Sequence, residues 1–216
     1  MINIQDLKSE LLWFLRNNNF LTIAQRGVET ETIEDTLDED VSYEIEDTKV
    51  KNIRSLKVND EVLRLGYDYD LNTEENAVVS FKTPKTGTLE ITYDTGIGDK
   101  IWSDYPRDNL SISQYPRIGF DVVAINTTPL SLGAKDYINE ILISIVIYAE
   151  KNREVESILN NIRTKLIQNA KNFYFNRFIQ VTNIGRLIED NEYNSIVHRS
   201  IDLISKWKVE DIEDES

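Results

Sequence analysis

The chain has 216 residues, 40% of them hydrophobic, with a net charge of −14, no cysteine and one histidine. That length holds one large domain or two small ones. The missing cysteines exclude disulfides, thiolate metal sites and a cysteine nucleophile, and a lone His198 excludes a histidine metal cluster within one chain. No apolar run is long enough to span a bilayer, and MINIQDLKSELLWF lacks the basic start and small-residue cleavage site of a signal peptide, so a soluble protein is predicted.

The charge is uneven. Residues 29–47 hold ten acids and no base, and residues 210–216 hold five acids and no base. What remains is close to neutral. Acidic blocks repel phosphate, which argues against free DNA as a tight ligand. Their plainest reading is a solvated loop and a solvated tail.

In chain order, Ile4, Leu7, Leu11, Phe14 and Leu15 form one apolar stripe and predict a helix over 4–18, ended by Asn17, Asn18 and Asn19. A strand or loop follows over 20–24. Residues 29–47 show no clear period, with a short strand at 41–45. From 50 to 94 the pattern is β. Ile53 to Val58 is a strand, Asn59-Asp60 a turn, and 62–65 a continuation. Tyr67 and Tyr69 alternate with Asp68 and Asp70. Strands over 77–82 and 88–93 are joined by Pro84-Lys85-Thr86-Gly87, which has turn chemistry.

Residues 94–114, with Gly96, Gly98 and Pro106, read as a linker. A strand covers 117–124 and a loop 127–135. Ile141, Ile143, Ile145 and Ile147 then alternate with Leu142, Ser144, Val146 and Tyr148, a strand of period 2. Directly after it, Val155, Ile158, Leu159, Ile162 and Leu166 recur at helical spacing. A short strand over 183–188 and a long one over 193–209 close the chain, with Ile201, Leu203 and Trp207 on one face. The predicted fold class is α+β: an antiparallel sheet packed on one long helix, plus a small inserted all-β module. The divisions are a core of 1–24 and 98–209, a β-module of 48–97, an acidic connector of 25–47 and an acidic tail of 210–216.

Little chemistry is visible. Asp94-Thr95-Gly96 matches the aspartic-protease tripeptide, in which a second carboxylate shares one proton. The strand before it carries Glu90 and Thr92 where such enzymes are apolar, so Asp94 reads better as part of a turn leaving the β-module. Asp68 to Asn72 opens like a calcium loop, but Thr73 and Val79 stand where Gly and Glu are required. His198 reads as a strand residue rather than part of a triad. No catalytic, cofactor or metal residue is assigned, and no cofactor is expected. Phe173, Tyr174, Phe175 and Phe178 cluster after the long helix, either as a core plug or as an anchor for a neighbouring subunit.

Several blocks carry a resemblance. YPRIGFDVVAI, then EILISIVIYAEKNREVESILNNIRTKLIQN, then IGRL and YNSIVHRSIDLISKW resemble the tail-completion or tail-terminator family of tailed viruses, over about 90 residues. The stretch VKNIRSLKVNDEVLRLGYDYDLNTEENAVVSFKTPKTGTLEITYD is similar to small β-modules of viral structural proteins. The resemblance implies a helix, a β-hairpin, a strand running into a long helix, and two closing strands. It also implies a non-enzymatic virion protein at the head–tail joint, assembled in the host cytoplasm as a ring, usually a hexamer, between tail tube and neck or portal adaptor. DNA would pass through without specific binding, and no membrane is involved. Glu34, Asp35, Asp38, Glu39 and Asp40 then become acids that face a channel or a basic partner. The alternatives are another neck, baseplate or fibre-attachment protein, a protease built on Asp94, or a non-viral binding module.

Overall fold

In the computed structural model, residues 4–47, 49–72, 76–96, 99–103, 115–129, 136–173, 179–190 and 196–210 are described. They divide into two compact units, Trp13–Ile101 and Met1–Leu12 with Trp102–Ser216. Among the described residues the structure is mostly β, with 59% strand and 20% helix. A sheet packed on one long helix is therefore not the fold: the described residues form two sheets, of five and six strands.

The helical stripe at the N-terminus forms α1 (Ile4–Asn17), with Leu7, Leu11, Phe14 and Leu15 buried. The strand or loop expected over 20–24 is instead the approach to a single helical turn, α2 (Ile23–Arg26). Thr22 and Gln25 form a reciprocal capping box, and Gly27 at φ 74° closes the turn. Both satisfy backbone groups that so short a helix leaves open.

The unit Trp13–Ile101 is built on β1 (Glu29–Ile45), β2 (Val50–Val58), β3 (Glu61–Val62), β4 (Tyr69–Asn72) and β5 (Ala77–Thr95). The order is β1-β5-β2-β3, with β4 also pairing β5, and all pairs are antiparallel. The acidic connector is thus a 17-residue edge strand. The two strands expected around Pro84 are one continuous strand of 19 residues. Pro84 falls in a register shift between the Asp40–Lys85 and Ser42–Ser80 pairs, where its missing N–H costs no ladder bond. Ile45, Ile53, Leu56, Val79, Leu89 and Ile91 form the centre of this unit's core.

The Asn59-Asp60 turn is present, both residues at positive φ (51° and 65°), as a tight hairpin requires. The Asn59 side chain is also pinned: its Oδ1 accepts from the Thr88 N–H at 3.0 Å and its Nδ2 donates to the Thr86 carbonyl at 3.0 Å. Gly87 lies directly beneath it at φ +125°, and a Cβ there would meet Asn59 Oδ1 at 2.0 Å. Gly87→Ala is expected to lower stability by about 1–3 kcal/mol in urea titration, from strained φ and overpacking together.

The other unit contains β7 (Arg117–Pro129), β8 (Asp136–Ala149), α3 (Asn152–Asn169), β9 (Gln180–Ile184), β10 (Ile188–Asp190) and β11 (Ile196–Glu210). The sheet order is β10-β11-β8-β7-β6, where β6 is the two-residue Ile101–Trp102, and β9 also pairs β11. Ile143, Ile145 and Ile147 pair with Leu203, Ile201 and Arg199 on one side and with Val122, Phe120 and Ile118 on the other. The alternation buries Ile141, Ile143, Ile145 and Ile147 on one face. α3 lies against β8 and β11 and buries Val155, Ile158, Leu159, Ile162 and Leu166.

Candidate functional site

Asp94, the one candidate for carboxylate chemistry, does not lie in a surface turn. It is the penultimate residue of β5 and is fully buried, 0% exposed. The α2 turn delivers Arg26, itself 1% exposed, to the same place. Arg26 Nη1 donates to Asp94 Oδ2 at 2.6 Å, while its Nε and Nη2 take Asp99 in a two-toothed grip at 3.0 and 2.5 Å. Arg54 Nε reaches Asp94 Oδ1 at 2.5 Å, and the Thr30 hydroxyl donates to the same oxygen at 3.1 Å. Arg16 Nε approaches Asp99 Oδ2 at 3.0 Å, and its two outer nitrogens donate to the carbonyls of Lys51 and Ile101. Three arginines and two aspartates therefore tie α1, α2, β2, β5 and the segment after β5 together.

This arrangement determines what Asp94 can do. Burial acts to raise its pKa, but the Arg54 hydrogen bond and the Arg26 charge outweigh burial and hold it below the usual carboxylate range. An acid–base pair of the protease type needs two carboxylates sharing one proton in reach of substrate. Here both oxygens of Asp94 are held by cations out of contact with solvent, and Asp99 is gripped separately. The cluster is a structural clamp.

The acids of residues 34–40 belong to β1, which pairs only with β5 and so forms a sheet edge among the described residues. Glu34, Asp35, Asp38 and Glu39 are exposed and Asp40 is half-buried. Two of the five are already engaged within the strand: Asp35 accepts from the Tyr43 hydroxyl at 3.0 Å, and Asp40 from the Asp38 N–H at 2.8 Å. Burial, with Asp35 beside it, pushes the Tyr43 phenol up to about 12. An edge strand exposes unpaired backbone groups, and charged side chains along it discourage pairing with other chains. That accounts for the acidity without a ligand.

Of the aromatic cluster, Phe173 is buried at 8% exposure, as a core residue. Tyr174, Phe175 and Phe178 lie outside the described residues. His198 is in β11 opposite Tyr148, with ring centroids 5.3 Å apart. Asp68 and Asp70 hold backbone and Lys82 contacts rather than a cation loop. Among the described residues no group of acids and histidines has the form of a metal site.

One residue with binding potential was missed in the sequence. Arg117 opens β7 and is 6% exposed. Its Nε and Nη1 find no hydrogen-bond acceptor, and among the described residues no carboxylate pairs with it. Instead its guanidinium carbon lies 4.6 Å from the Tyr115 ring centre, 4.9 Å from Tyr148 and 6.0 Å from Trp102. Burial pushes its pKa below the usual arginine value. The sequence signal is slight: Tyr-Pro-Arg before a strand places one aromatic beside the cation, but Trp102 and Tyr148 join only through the sheet.

No protein-family model matches the chain, and no curated protein matches it.

Proposed function

We propose that this chain is a virion structural protein at the head–tail joint of a tailed virus, where copies form a ring that caps the tail tube and docks to the neck. The observation that carries this reading is the order of elements after α1: the β7–β8 hairpin, β8 passing within three residues into α3, and a closing β11 that pairs back on β8. The resemblance implies a hairpin, a strand running into a long helix and two closing strands; here β8 is both the hairpin's second arm and the strand entering α3, and three described strands follow α3. Against a protease, both oxygens of Asp94 are already held, by Arg26 and Arg54.

In this reading the work is geometric. Identical subunits meet through heterologous contacts that close on themselves, and each ring offers a matched face to the next component. Exposed acids on β1 suit a surface past which DNA moves, because like charge prevents adhesion. The separate five-stranded unit Trp13–Ile101 favours one variant of the reading, a neck, baseplate or fibre-attachment part with an added module.

Light scattering and negative-stain imaging of the purified chain, alone and mixed with tail tubes, test the proposal. Rings at high concentration, or caps on tube ends, are expected. A chain that stays monomeric and never associates with tubes or necks overturns the reading.

A further inference from the structure

A guanidinium with only 6% exposure and two nitrogens lacking acceptors is costly. Omitting the partner of a buried charge is strongly unfavourable, and cation–π contact offsets only part of that. Arg117 is therefore a cation whose surroundings are half complete. The rings around it supply an apolar wall. Among the described residues no carboxylate offers two oxygens to its planar fork, the geometry that guanidinium groups bind best. Trp102, Tyr115 and Tyr148 are only half-buried, so the rim of the cage meets the surface.

We propose that Arg117 and its aromatic cage form a socket for a carboxylate of the acidic segment 211–216 of a second copy of this chain. Asp211, Glu213, Asp214 and Glu215 supply the acids, and Ile212 an apolar residue for the rings. The segment continues from β11, whose last residue, Glu210, pairs with Asp136 at one end of β8. Arg117 pairs with Tyr148, twelve residues further along the same strand. At about 3.3 Å per residue the socket is roughly 35–40 Å away. Six extended residues reach at most ~21 Å. The acids of 211–216 therefore cannot enter the socket of their own copy, and the contact is made between copies, head to tail. Such a contact repeats, and it closes into a ring when the rotation between copies allows. Of the β1 acids, Asp35 and Asp40 already hold partners in their own strand.

This inference does not rest on the virion reading: it concerns how two copies meet, whatever particle they build. The test uses the 216-residue chain with its own segment neutralised (D211N, E213Q, D214N and E215Q together), which leaves Arg117 unchanged. A fluorescent peptide of residues 209–216 is titrated by anisotropy. Saturable binding is expected, weakened at least about tenfold by Arg117→Lys, which keeps charge but not the fork, and further by Arg117→Gln. Arg153→Gln, at an exposed position on α3, leaves it unchanged. Thermal unfolding checks that each variant is folded. Should the Arg117 variants fail to fold, the peptide itself is changed: its Asn/Gln form must lose binding to the unaltered socket. No binding by the acidic peptide, equal binding by the neutral one, or equal binding to a folded Arg117→Gln variant overturns the proposal. Tighter binding of a single-stranded oligonucleotide of equal charge also overturns it, and makes a phosphate the ligand.

Discussion

Asp94→Asn is expected to destabilise the unit Trp13–Ile101 by about 3–5 kcal/mol, the cost of removing one partner from a buried ion pair. The substitution keeps size and shape, so the loss is electrostatic. Arg26, 1% exposed, keeps Asp99 but loses its 2.6 Å contact to Asp94. Arg54 loses its 2.5 Å contact as well. Two guanidinium groups then face an amide that offers one oxygen and no charge. Domain stabilities run from about 5 to 15 kcal/mol, so the unit loses a large share of its margin. Urea unfolding followed by circular dichroism measures the shift. Digestion of a denatured protein at acidic pH is expected from neither wild type nor variant. Proteolysis by the wild type that Asp94→Asn removes would show Asp94 to be catalytic.

The same clamp predicts an acid limit. The folded-state pKa of Asp94 is depressed, so its contribution is fully present above the unfolded carboxylate value of about 3.9. It is lost as pH falls through the folded value, because the protonated acid no longer pairs with Arg26 and Arg54. Stability of the wild type should therefore fall below about pH 4 more steeply than that of Asp94→Asn. Parallel curves would mean that Asp94 is not the group that titrates.

The clamp also explains why Asp94 was misread in the sequence. Asp-Thr-Gly after a strand is local turn chemistry, whereas Arg16, Arg26 and Arg54 come from 40 to 78 residues away. No local pattern joins them. Period was legible where one face is buried: β8 and α3 show it because their alternate or i, i+4 positions meet a core. It failed for β1, most of whose residues are exposed on both faces, so there is no apolar alternation and acids stand where strands rarely carry them. It failed at Pro84 to Gly87 because turn residues there serve a register shift, with β1 holding the strand straight through. α2 had a readable signal, Thr22 and Gln25 at capping-box spacing before Gly27, and a four-residue helix is too short for period to reveal.

Replacing Glu34, Asp35, Asp38, Glu39 and Asp40 by their amides is expected to raise self-association sharply. The amides keep the acceptors that Tyr43 and the Asp38 N–H require, so β1 should stay folded. What changes is the edge. Five negative charges leave a strand whose outer backbone groups have no strand partner among the described residues, and Val41, 61% exposed, lies beside them. Without charge, that edge can pair with another. Light scattering at low and high salt separates this from two functional roles. If the acids only protect the edge, wild type should associate more as salt rises, since repulsion is screened over about 8 Å at 0.15 M, while the variant associates at every salt. If they grip a basic neighbour, the complex with that neighbour should weaken with salt and be lost in the variant. If they line a channel, assembly is unaffected and DNA adheres to the variant alone. A variant that stays as dispersed as wild type at low salt would show that the charge on β1 does not guard the edge.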